Sequence, residues 1–168
     1  VLSSRSALWK RCEGIVASVE IPTPFAMADF LETLARRRGR RIELVPMAAN
    51  SAAPCGVLAA TDQADYVFYT TETSVLHQEH ILLHEIGHLL CGHAGSAELD
   101  AAVPSALMPN LSPGLIRRVL GRTTYAEEQE REAELVASLI MRRVRRETPT
   151  KHAGGLGALE AAFGSRRR

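Results

Sequence analysis

No apolar run in this chain approaches the ~20 residues that a membrane-spanning helix needs, and the short stretch Gly14-Ile15-Val16-Ala17, set between Glu13 and Glu20, lacks the layout of a secretory leader. Cysteine is scarce. Cys12, Cys55 and Cys91 are odd in number and show no paired spacing, which argues against a disulfide framework and predicts a reducing, cytoplasmic setting. Net charge is also small, +1 overall, which argues against bulk electrostatic binding of nucleic acid. Charge is clustered instead: segments 36–41, 142–146 and 166–168 are Arg-rich, while Glu127 to Glu134 is acidic. A basic cluster is either a phosphate or acidic-partner site or, more commonly, a solvated face. What remains is an ordinary folded composition, 46% hydrophobic over 168 residues, enough for one domain with a real core.

The most informative stretch is His84-Glu85-Ile86-Gly87-His88. Residues four apart share a helical face, so both imidazoles can converge on one metal ion. Glu85 lies about 100° round from His84 and reaches a water at that ion without being a ligand. This is the H-E-x-x-H signature of zinc peptidases, in which the metal acidifies a water and the glutamate takes its proton. Short patterns recur by chance, but the flanks support this one. Ile81-Leu82-Leu83 precedes it and Leu89-Leu90 follows, and a helix apolar on nearly every side is a buried one. Buried imidazoles need partners. Gly87 inside a helix costs roughly 1 kcal/mol relative to Ala, which a close crossing by another element would justify.

Along the chain, Leu8, Cys12, Ile15, Val16 and Val19 form one stripe of an amphipathic helix. Thr23 reads as the N-cap of a second helix with Pro24 at its first position, running to about Arg38 with Met27, Phe30, Leu31 and Leu34 inward and Gly39 as its stop. Three strands are predicted, at 41–45, 56–60 and 65–70, the last two joined as a hairpin through 61–65. An exposed edge of that sheet is able to hold an extended peptide; a covered edge is the plainer alternative. The loop 48–54 is rich in small residues. Pro54-Cys55-Gly56-Val57 loosely resembles the cysteine switch of matrix metalloprotease propeptides, although a free cysteine is more often an inert buried hydrophobe. The metal-binding helix is predicted over about 76–91, a short helix at 115–120, a long one at 125–146, and a frayed basic tail from 148.

Catalytic zinc usually has three protein ligands. His93 points about 140° away from His88 on a continuing helix. His80 lies on the ligand face one turn early and reads as a cleft residue. The long helix offers Glu130, the single carboxylate in a seam of Ala126, Ala133, Ala137, Ile140 and Val144. Glu132 projects to the opposite side, and Glu127 and Glu134 flank the seam. The competing reading is a glutamate that escapes to solvent at the helix start.

His84-Glu85-Ile86-Gly87-His88-Leu89-Leu90, followed by Glu130-Arg131-Glu132-Ala133-Glu134-Leu135-Val136-Ala137, resembles the ImmA/IrrE family of metallopeptidases. That family pairs such a helix with a downstream E-x-x-A-[N/D]-x-F-A helix. The likeness follows the order of elements over about 25–145 and is sharp in these two segments. Glu134 stands where Asn or Asp is usual, Val136 where Phe is usual, and Ile140-Met141-Arg142 replaces Leu-Met-Pro. The resemblance implies His84, His88 and Glu130 as zinc ligands and Glu85 as catalytic base. It also implies a cytoplasmic protein whose partner is a helix-turn-helix transcriptional repressor on a separate chain.

The expected architecture is therefore α+β and zincin-like, with a small antiparallel sheet beside the H-E-x-x-H helix. One domain spans 1–147, made of a helical scaffold at 1–40, the sheet at 41–71 and the zinc-binding helices at 75–147. The expected activity is zinc-dependent endoproteolysis of a protein partner, with Tyr125 a candidate donor to the oxyanion. The rivals are a zinc-containing regulatory module that binds a repressor without turnover, and a zinc hydrolase acting on a small molecule.

Overall fold

A computed structural model describes residues 2–47, 55–60, 64–93, 96–98 and 122–147. The expected 48–54 loop, the 61–63 part of the hairpin turn, the short helix at 115–120 and the tail from 148 lie outside the described residues. Four helices and a three-stranded sheet make up an α+β arrangement: α1 (Leu2–Ala17), α2 (Met27–Arg38), β1 (Arg41–Met47), β2 (Gly56–Ala60), β3 (Ala64–Thr70), α3 (Val75–Cys91) and α4 (Glu127–Glu147). A two-stranded ribbon, β4 (Ser96–Glu98) with antiparallel β5 (Arg122–Thr124), lies between α3 and α4 in sequence.

The apolar stripe of α1 is buried as its spacing predicts: Cys12, Val16 and the post-helical Val19 are in the core, with Leu8 and Ile15 packed against them. Helix α2 starts later than expected. Thr23 caps nothing; its hydroxyl donates to Glu147 Oε2 at 3.0 Å, and the helix opens after Ala26 without a side-chain cap. Its end is as read, with Gly39 left-handed at φ 65°. The arginines on either side of it are engaged locally. Arg38 and Arg40 reach the buried Asp65 at 3.3 and 3.2 Å, Arg36 pairs with Glu32 at 3.0 Å and Arg41 with Glu43 at 3.3 Å, while Arg37 donates to the Ser18 carbonyl.

The sheet is mixed, not antiparallel. Its order is β1-β3-β2: β3 pairs antiparallel with β2, as the hairpin reading requires, and parallel with β1. The reason lies in β3, the most apolar of the three, with Val67 and Phe68 fully buried. A strand buried on both faces takes the centre. The half-polar β1 is thereby pushed to the outer side, where it runs parallel to β3.

Helix α3 lies between two apolar layers. Leu83 and Ile86 join the residues of α1, α2 and α4 in one cluster, while Leu82 and Leu89 pack on Leu58 and Val67 of the sheet. Ser74 caps its start by accepting the His77 N–H at 3.3 Å, and Gly92, left-handed at φ 69°, ends it. Helix α4 crosses α3 at Gly87, where an added Cβ would lie 2.7 Å from the Ala133 carbonyl oxygen and 3.0 Å from its Cα. The glycine therefore permits backbone-to-backbone contact, and it is this contact that brings Glu130 over the two histidines.

Candidate metal centre

Helix α3 presents His84 and His88 one turn apart, and α4 brings Glu130 across them. His84 Nε2 lies 3.2 Å from His88 Nε2 and 3.2 Å from Glu130 Oε2, and His88 Nε2 lies 3.6 Å from Glu130 Oε1. Donors held about 2.1 Å from one tetrahedral ion sit about 3.4 Å from each other. The three separations match that spacing, and the donor set of two imidazoles and a carboxylate suits a borderline divalent cation. Glu130 is 46% exposed, but it turns into the cleft and not into bulk solvent, so the seam position read from sequence delivers it to the histidines.

Burial lowers the His88 pKa to about 3, assisted by His84 and His93. It is thus held neutral, the form that ligates metals. Its ring is covered by Tyr125, stacked at a centroid distance of 3.6 Å and 17° from parallel. Glu85 is 6% exposed. Burial, and next the charge of Glu130, push its pKa up to about 7, opposed by a hydrogen bond from the Leu58 N–H. A carboxylate that titrates near neutrality is suited to proton transfer.

The cleft is lined by Cys55, Gly56, Val57 and Leu58 on the sheet side, by His80, Ile81, His84, Glu85 and His88 from α3, and by Tyr125 and Glu130. Among the described residues β2 has no strand on its far side, and that side borders the candidate centre. Gly56 allows this closeness, because a Cβ there would meet Glu85 Oε1 and Ile81 Cγ2, each at 2.7 Å. The structure therefore brings together all five residues singled out from sequence: His84, Glu85, His88, Tyr125 and Glu130. His80 is a cleft residue, as read. Its Nε2 lies 3.1 Å from Glu134 Oε2, and that carboxylate lies 3.4 Å from His84 Nδ1, so Glu134 backs a candidate ligand.

Two residues have surroundings that helical projection does not give. His93 does not point away, since α3 ends at Cys91 and the His93 N–H turns back to the His88 carbonyl at 3.0 Å. Glu132 does project away from the Glu130 seam, but into the interior, where it is buried between α1 and the end of α3. Val136 and Leu139, buried alongside it, were the available signal: they mark a second apolar stripe one residue ahead of the seam. No protein-family model, curated protein or solved structure matches the chain, so the functional reading rests on this geometry.

Proposed function

We propose that the chain is a zinc-dependent endopeptidase of zincin-like fold, with His84, His88 and Glu130 as the metal ligands and Glu85 as the base. The convergence of the three donors at tetrahedral spacing, with a buried carboxylate beside them, carries the reading. Bound Zn²⁺ supplies an acidified water and polarises the scissile carbonyl. Glu85 takes the water proton on its carboxylate and delivers it to the leaving amine. Tyr125, a wall of the cleft stacked on His88, would donate to developing negative charge on the substrate oxygen.

A protein segment is the substrate that suits the open edge of β2. The Thr70 N–H donates to the Cys55 carbonyl at 2.9 Å, so Cys55 faces β3, and by alternation the backbone groups of Gly56 and Leu58 turn to the cleft side, where the Leu58 N–H goes to Glu85 and the Gly56 groups and the Leu58 carbonyl face the cleft. An extended chain can add there by backbone hydrogen bonds. The likeness of the two helical motifs to ImmA/IrrE peptidases favours a helix-turn-helix repressor, carried on a separate cytoplasmic chain, as that substrate. No helix among the described residues is long and apolar enough to cross a membrane.

Zinc-loaded protein incubated with its cognate repressor should generate new N-termini detectable by mass spectrometry. Glu85→Gln should keep the metal and lose about 10²- to 10⁴-fold in rate. His84→Ala and Glu130→Ala should each lose bound zinc. A stoichiometric complex without new termini, from parent protein shown to hold zinc, would replace this reading with that of a non-catalytic binding module.

A further inference from the structure

Behind His88 a line of polar side chains leads away from the cleft. His88 Nδ1 lies 3.0 Å from His93 Nδ1, His93 Nε2 lies 3.1 Å from Glu132 Oε2, and Glu132 Oε1 lies 2.8 Å from Arg11 Nε on α1. The side chains of His88, His93 and Glu132 are 1%, 5% and 7% exposed, and that of Arg11 is 61% exposed. The Arg11 contact is held by charge, because its N–H is not aimed at Oε1, which accepts no hydrogen bond among the described residues.

For neutral imidazoles, proton bookkeeping fixes each link. A carboxylate facing a guanidinium is an acceptor only, so the proton between it and His93 sits on His93 Nε2. A neutral imidazole protonated at Nε2 has a bare Nδ1, which can only accept. The single proton between the two rings therefore belongs to His88 Nδ1, and His88 Nε2 is left bare, facing His84 and Glu130. The geometry points to Arg11, Glu132 and His93 as a positioning chain that sets His88 in the Nδ1–H tautomer and aims its Nε2 lone pair at the metal centre. Its meaning for metal binding rests on the reading proposed above. None of the three touches substrate. They act through the ligand, as partners on the second nitrogen of a metal-bound histidine do.

A competing use of the same residues is a second cation site, since donor atoms of Cys91, His93 and Glu132 lie within 4.8 Å of one another. A cation there would need the lone pair of His93 Nε2. That would move the His93 proton to Nδ1, turn His88 Nδ1 into an acceptor and leave His88 Nε2 protonated, unfit to ligate. The two sites exclude each other, and the positive charge of Arg11 disfavours the inner one.

Long-range ¹H–¹⁵N spectra of the imidazoles, recorded after metal removal and again with Zn²⁺, should show His88 protonated at Nδ1 and His93 at Nε2. Zn²⁺ titrated against a competing chelator should bind Glu132→Ala and His93→Leu about 10- to 100-fold more weakly than the parent. Glu132→Gln, whose amide oxygen still accepts from His93, should restore most of that affinity. The chain is overturned if His88 carries its proton on Nε2, if folded alanine and leucine variants bind Zn²⁺ like the parent, or if the parent binds two Zn²⁺ and Cys91→Ser loses one. A parent that binds no Zn²⁺ sinks the metal-centre reading alone; the His88 tautomer, read on metal-free parent, then still decides the chain. The same spectrum decides it if the variants fail to fold.

Discussion

Glu85 sits where the fold is least tolerant of its charge, under the sheet edge and beside a second carboxylate. Burial lifts its pKa from 4.5 to about 7. An acid raised in this way contributes its full stability below pH 4.5, where it is protonated in both folded and unfolded chains, and loses that contribution as pH rises through about 7. Chemical denaturation in chelator should therefore show Glu85→Gln gaining on the parent between pH 4.5 and 8, by up to roughly 3 kcal/mol. A difference that stays flat with pH would mean the carboxylate is not buried as described. The cysteines differ just as sharply. Cys55 is exposed at the mouth of the cleft, Cys12 is buried, and burial pushes the Cys91 thiol up to about 12. Iodoacetamide at pH 8 should label Cys55 at least tenfold faster than the other two, read by peptide mass mapping. His84, His88 and Glu130 were legible in the sequence because helical spacing alone puts them on facing stripes. His93 and Glu132 were not. His93 is placed by a left-handed glycine that breaks the helical projection, and the surroundings of Glu132 belong to α1, more than a hundred residues away in the chain.

Among the elements, the α3–α4 crossing does most to assemble the site, and it depends on a missing side chain. With the Ala133 backbone so close to Gly87, Gly87→Ala has no flexible neighbour to displace. It should destabilise the fold by about 1–3 kcal/mol and weaken zinc binding as well, checked by denaturant titration with and without metal. The crossing was readable from the chain: a glycine inside a buried helix, and alanines along the seam of another, call for close approach. The sheet was only half readable. Alternation and turn residues located β2 and β3 and made them a hairpin, but strand order follows from which strand the helices cover, and that is a property of the packed molecule. Thr23 failed as a cap for a related reason, its hydroxyl being engaged by Glu147 at the far end of α4.

In the whole molecule the sheet and α4 pack directly on α3, α1 packs on α4 and α2 on β1, and one apolar cluster joins the four helices. Because the candidate ligands come from two helices separated by a long stretch of chain, metal binding should stabilise the entire fold. Zn²⁺ at a thousand times its dissociation constant should add about 4 kcal/mol to unfolding, seen as a higher melting temperature that chelator reverses and that His84→Ala does not show. In the basic run at the end of α2, Arg38 and Arg40 are tied to the buried Asp65, whereas Arg36 and Arg41 make exposed pairs with Glu32 and Glu43. Asp65→Ala, which strips two arginines of their buried partner, should destabilise by about 1–3 kcal/mol. The backbone contact at Gly87 has one more consequence, in the language of chelate chemistry. Peptide groups, unlike side chains, have no rotamers to exchange, so the two touching main chains fix the spacing of the helices that carry the α3 imidazoles and the α4 carboxylate, and only side-chain torsions are left to adjust the bite. A site so framed should take Zn²⁺ or Co²⁺, whose short bonds suit the observed spacing, in preference to Ca²⁺, with its longer bonds and larger ligand number.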